Sequence, residues 1–145
     1  MTRHFFLLLF SLALTSCSMS FRREWNAATQ MPAASGVEGA WTGTWKSDVN
    51  GHHGKLRCVV GPAKNAEGEH DFHYHATWAG FLSGANRAVH QVTPGRKEAT
   101  FTGTHDMPKA VGGRYTYAGT IRGDEFSACY QCAIDKGTFQ MQRVK

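Results

Sequence analysis

From Gly39 onward, apolar and polar residues alternate in short runs broken by turn signals. Trp41, Gly43, Trp45 and Ser47 share one face of the first run, and Leu56, Cys58 and Val60 share one face of the second. Phe72, Tyr74, Ala76 and Trp78 follow. A weaker run over 87–93 places Ala88, His90 and Val92, or their neighbours, inward. Ala99, Phe101 and Gly103 alternate next, then Tyr115, Tyr117, Gly119 and Ile121, then Phe126, Ala128 and Tyr130. Phe139, Met141 and Arg143 close the chain. Period two is the spacing of a strand with one wet face, because successive side chains point to opposite sides. Asn50-Gly51, Gly123-Asp124 and Asp135-Lys136-Gly137 supply turns between runs. The pattern predicts an all-β, antiparallel up-and-down barrel of about eight strands over residues 39–145. At that strand number the interior holds side chains or one small ligand. Closure also removes free edges. The 16 glycines and 4 prolines suit strands joined by tight turns, and 41% hydrophobic residues suffice for a core.

The start of the chain reads differently. Arg3 and His4 precede an apolar run, Phe5 to Leu14. That run is too short to span a bilayer, which takes roughly 20 residues, and fits the apolar region of a secretory signal. The following Leu14-Thr15-Ser16-Cys17 resembles the lipobox of bacterial lipoproteins. The resemblance implies that residues 1–16 are removed and that Cys17 becomes the lipidated first residue, so that the membrane is a partner through an N-terminal lipid anchor. Acyl chains hold a protein at a membrane by about 0.8 kcal/mol per buried methylene. Ser18, and no Asp, follows the cysteine, which by the sorting habit of double-membrane bacteria implies the outer membrane of the cell envelope. Residues 17–38 then read as a tether. Phe21, Trp25 and Ala28 fall on one side of one or two helical turns, and Met31 to Gly36 ends them. That turn has two available places, one end of the domain or the lipid surface.

Without residues 1–16 the chain carries 15 Lys and Arg against 11 Asp and Glu, a net charge of +4 with His neutral. The cations are scattered, and no basic run points to nucleic acid. Arg22-Arg23 sits near the anchor, where it can meet anionic headgroups.

Gly-x-Trp occurs twice at the start of the first predicted strand, as Gly39-Ala40-Trp41 and Gly43-Thr44-Trp45, and Arg143 lies near the end of the last. This pairing resembles the calycin barrels, the lipocalin and avidin-like proteins. The resemblance implies a tryptophan across one end of the barrel with the late arginine over its ring. Trp41 and Arg143 are assigned to that closure, and Trp45 to the wall. Trp41 to Trp45, Gly112 to Tyr117 and Gly137 to Met141 also look like stretches of a set of short bacterial lipoproteins, a likeness that adds location and fold and no chemistry.

Export implies an oxidising compartment in which disulfides persist. With Cys17 lipidated, Cys58, Cys129 and Cys132 remain, and strand parity puts Cys58 and Cys132 inside and Cys129 outside. A Cys58–Cys132 bridge is therefore expected if the barrel is flattened, subject to the roughly 7 Å limit between Cα atoms. Cys129-Tyr130-Gln131-Cys132 ends a strand instead of opening a helix, which argues against thiol–disulfide catalysis. His73 and His75 alternate with Phe72 and Tyr74 and are expected to face solvent. His52-His53 and His105-Asp106 fall in loops near Cys132, where a Zn or Cu site is an alternative to plain surface histidines.

No nucleophile elbow and no phosphate-cradling loop appears, and the acids are spread out. The reading is of a non-enzyme without a cofactor. An interior of Trp45, Phe72, Tyr74, Phe101, Tyr115, Tyr117, Phe126, Tyr130 and Phe139 suits a small apolar or amphipathic molecule whose polar head meets tyrosine hydroxyls. The alternatives are a filled barrel acting through its surface and a His-based metal binder.

Overall fold

The computed structural model describes residues 18–32 and 34–145. The expected signal peptide and the lipidated Cys17 lie outside the described residues. Eight strands follow one another: β1 (Gly39–Ser47), β2 (His53–Ala63), β3 (Glu69–Trp78), β4 (Leu82–Thr93), β5 (Ala99–Asp106), β6 (Arg114–Arg122), β7 (Glu125–Gln131) and β8 (Lys136–Arg143). Each pairs antiparallel with the next, and β1 pairs with β8, so the sheet is a closed up-and-down barrel. One helix, α1 (residues 18–30), precedes it, and one 3-10 turn (Lys109–Val111) lies between β5 and β6.

The topology gives the barrel two distinct ends. The β1–β2, β3–β4, β5–β6 and β7–β8 hairpins form one, here called the rim. The β2–β3, β4–β5 and β6–β7 connections form the other, the base, where β1 begins and β8 ends. Outward positions such as Thr42, Thr44, Lys55, Arg57, Thr100, Thr102, Thr116 and Gln140 are exposed and polar. A barrel that spans a bilayer shows an apolar band outside. This wall has the opposite polarity and faces water.

Inward residues fill the barrel. Phe72 stands 4.9 Å from Phe101, Phe101 5.2 Å from Phe126, and Phe126 5.6 Å from Trp41, ring centre to ring centre. Nearer the rim, Tyr74 stacks on Tyr117 at 5.9 Å and Tyr130 on Phe139 at 5.2 Å. These separations are those of packed aromatic pairs. So many large rings require gaps opposite them. A Cβ on Gly119 would sit 2.5 Å from Phe101 Cζ, and one on Gly103 would sit 2.0 Å from His90 Nδ1. Both glycines are inward positions emptied to admit a ring.

The base is held by one arginine. The Arg143 guanidinium lies 4.2 Å over the Trp41 ring. It donates to Asp124 Oδ1 at 3.1 Å, to Glu38 O at 2.7 Å, to Gly123 O at 3.3 Å and to Gly36 O. Trp41 Nε1 donates to Val37 O at 3.1 Å. Trp41 is fully buried and Arg143 nearly so. The arginine thus joins the entering segment, the β6–β7 turn and the core. Replacing it leaves several carbonyls without their donor, and charge-assisted bonds contribute about 1.5–3 kcal/mol each at most. We expect Arg143→Ala to lower the unfolding free energy by about 3 kcal/mol, and Arg143→Lys to restore less than half of that, measured by urea titration with tryptophan emission.

Candidate functional site

The residues expected to line a ligand chamber are in ring-to-ring contact with one another. Phe72, Phe101 and Phe126 form the central stack, and Tyr74, Tyr117 and Tyr130 cap it, all buried. Trp45 and Tyr115 lie higher and are partly exposed. Trp45 Nε1 donates to Thr77 O at 2.9 Å, and the Tyr115 hydroxyl donates to Val111 O at 2.9 Å. Asn86, opposite Tyr74 on β4, is also partly exposed toward the same end.

The ionisable groups inside are held neutral. Burial pushes the Cys58 thiol well up, so it remains a thiol. Burial, then Cys58 and Tyr117, raise Tyr74. Burial raises Tyr117 to about 12, against the pull of the Asn86 side chain. Tyr115 and Tyr130 rise too, each mainly through burial. Tyr130 donates to Asp135 Oδ2 at 3.0 Å, and Ser47 donates to Asp135 Oδ1 at 2.6 Å, which ties the β7–β8 hairpin to β1.

His90 is the one polar ring in the stack, completely buried against Phe72 and Phe101. Its Nε2 lies 3.0 Å from the Tyr74 hydroxyl. Its Nδ1 has no hydrogen-bond partner. Burial lowers its pKa from 6.5 to about 4; the Val89 carbonyl, near the ring but outside hydrogen-bond geometry with Nδ1, pulls the other way.

The cysteines correct one expectation. Cys58, Cys129 and Cys132 are all free thiols. Cys58 pairs with Trp41 in the lower half of the barrel, whereas Cys132 follows β7 at the rim, beside Gly112. The strand from Trp41 to Ser47, at the level of Cys132, covers about 20 Å. That far exceeds the roughly 7 Å a disulfide allows. Parity placed both on the correct face but at the wrong heights. Cys129 faces out, as expected.

The histidines correct another. His73 and His75 are on the outer face but do not meet solvent freely, because α1 lies over them. Phe21, nearly fully buried, packs edge-on to His73 at 5.2 Å and stacks on His75 at 5.0 Å. Trp25 stacks on Phe21 at 5.9 Å and receives the Arg57 guanidinium at 5.1 Å. Glu24 accepts from Arg87 at 2.5 Å, and its other oxygen lies 2.9 Å from His73 Nδ1. The tether therefore occupies neither place expected of it; it lies along the wall over β2, β3 and β4. Below, Ala28, Met31 and Pro32 face Val59, Pro62 and Ala63 across a groove of about 610 Å³. Among the described residues, no group of three or more His, Cys, Asp or Glu side chains is placed to hold a metal.

No family model, no curated protein and no solved structure matches this chain. The geometry itself defines the class: a water-facing, eight-stranded up-and-down barrel with an aromatic core and a helix strapped outside.

Two outcomes follow. His90 has its pKa depressed in the fold, so its contribution is complete above 6.5 and lost as pH falls towards about 4. Urea titrations across that window will show stability falling by about 3 kcal/mol. His90→Gln, which keeps a partner for Tyr74 and does not titrate, will flatten the slope.

For α1, burial raises the Glu24 pKa but the bonds to Arg87 and His73 outweigh it, leaving the carboxylate below its ordinary 4.5. Docking that depends on the charged form holds above that value and weakens as pH falls through the lowered one. Phe21→Ala should free the helix at neutral pH. Hydrogen exchange will show residues 18–30 losing protection while β5 to β8 keep theirs.

Proposed function

We propose that this chain is a lipid-anchored protein of the bacterial cell envelope, held at the outer membrane through Cys17, whose filled barrel works through its surface without catalysis. The observation that carries this reading is the continuous ring contact from Trp41 through Phe126, Phe101 and Phe72, with Tyr74, Tyr117 and Phe139 above, which puts side chains where cargo would sit. The likeness to calycins is supported by Arg143 lying over Trp41 at the closed base. Fold alone does not assign a role.

A second reading keeps the small amphipathic ligand but moves it to the rim end of the barrel. Partly exposed Trp45, Tyr115 and Asn86 favour it, since one apolar wall and one amide can orient a small molecule.

Native mass spectrometry of the chain, extracted gently from its host's envelope, decides between them. The first reading expects residues 17–145 with lipid on Cys17, three reduced thiols and no stoichiometric adduct. An adduct lost on organic extraction, and absent from a Trp45→Ala variant, would install the second. An unlipidated Cys17 would remove the anchor.

A further inference from the structure

Six of the nine exposed large hydrophobic residues among the described residues lie at one end of the barrel: Val49, Trp78, Phe81, Leu82, Val111 and Ile134. They are shared out over all four rim hairpins: Val49 in β1–β2, Trp78 to Leu82 in β3–β4, Val111 in β5–β6 and Ile134 in β7–β8. Phe81, at the tip of its hairpin, is 82% exposed, and Ile134 is 60% exposed. At the base the one such residue is Met31, at the end of α1, and the connections between strands carry none. These connections read Lys64-Asn65-Ala66-Glu67-Gly68, Pro94-Gly95-Arg96-Lys97-Glu98 and Gly123-Asp124. Hairpin tips need small or polar residues to turn, so an apolar side chain on each of four separate tips has no folding rationale. Apolar groups spread around one whole end suit a flat apolar phase better than a pocket.

Two further observations name that phase. The first is charge. At the rim Asp106 pairs with Arg114, and Asp135 accepts from Ser47 and Tyr130. Ser47 and Tyr130 are neutral, so Asp135 keeps its charge. Lys46, Lys109, Lys136 and Arg114 stand against Asp48, Asp106 and Asp135, a small positive excess with three lysines that can meet anionic headgroups. The second is the direction of α1. Phe21 packs at the level of His73 and His75, while Ala28 and Met31 lie against the last residues of β2 at the base. The helix therefore runs from rim to base. Residue 18 lies about 4.5 Å above Phe21, and the rim lies about 10 Å of strand above His75. Residue 18, next in sequence to Cys17, thus lies on the rim side of the domain.

We propose that the rim is a membrane-contact surface: the barrel stands rim-down on the bilayer, with Trp78, Phe81, Leu82, Val111, Ile134 and Val49 entering the headgroup region and Lys46, Lys109 and Lys136 meeting anionic lipid. Trp78 suits the interface, where an amphipathic ring sits at headgroup level. Association scales with apolar area entering the interface plus attraction to anionic lipid. The proposal rests on the reading that this barrel works through its surface at a membrane, and it names that surface.

The test uses the full mature chain reconstituted on vesicles of phosphatidylcholine with a minority of phosphatidylglycerol, the acyl chains carrying bromine as a quencher. Flotation with the vesicles reads anchoring independently. The expected result is tryptophan quenching that falls at least about twofold in Trp78→Phe, because Trp41 and Trp45 lie in the barrel and Trp25 lies against its wall. The pair Phe81→Asp and Ile134→Asp should also remove it, with the protein still floating. Flotation without Trp78 quenching overturns the rim and leaves the anchor. Flotation and quenching in a Cys17→Ser chain support the rim and remove the need for the lipid. No flotation overturns both. Phe81-dependent dimers without quenching would assign the rim to a second copy and overturn the proposal.

Discussion

The interior of an eight-stranded barrel is about the width of the side chains that point into it. Most of what this chain does follows from how that width is used. Phe72, Phe101 and Phe126 occupy the middle, and Gly103 and Gly119 leave space where the rings meet the opposite wall. With rings packed through its middle, the barrel presents its ends and its outer wall as free surface. The ends are opposite in character: the base is tied by Arg143 to backbone carbonyls and to Trp41, and the rim is edged with apolar side chains.

His90 is the exception inside. A neutral imidazole with one partnered nitrogen costs more than a phenyl ring would, since an unmet buried polar atom carries a desolvation penalty. It fits because Gly103 faces it and because the Tyr74 hydroxyl takes up Nε2. Tyr74 needs a partner of its own at that depth. The two groups solve each other's problem incompletely, and the leftover Nδ1 makes the core sensitive to acid.

The fold was largely legible in the sequence because strand alternation is local. Trp41, Leu56, Phe72, Phe101, Tyr117, Phe126 and Phe139 are all inward, as their spacing predicts. Asn50-Gly51 and Gly123-Asp124 turn the chain where expected, and Gly51 and Gly123 take positive φ. The first half of β4, Leu82 to Asn86, escaped notice. Its Ser83-Gly84-Ala85-Asn86 carries no apolar alternation and is held by backbone pairing to β3. The outer wall was legible only as a face. Alternation says that His73 points outward, but not that a helix from another part of the chain lies over it. The cysteine heights failed for a similar reason, since parity assigns a face and only register assigns a level. The rim pattern was present in the sequence as Val49, Phe81, Val111 and Ile134. It acquires meaning only when the topology puts alternate hairpins at the same end.

The rim-to-base course of α1 also has a mechanical side. The chain enters at residue 18 near the rim, descends the wall and starts β1 at the base. A pull on the N-terminal side, directed away from the rim, acts along the helix axis and parallel to its contacts with the wall. Phe21 against His75, Trp25 under Arg57 and Glu24 against Arg87 are then loaded together in shear, not unzipped one after another. Joints loaded in shear share the force across every contact. A barrel hung this way keeps its distance from the point of attachment under tension, as a strut does and a string does not.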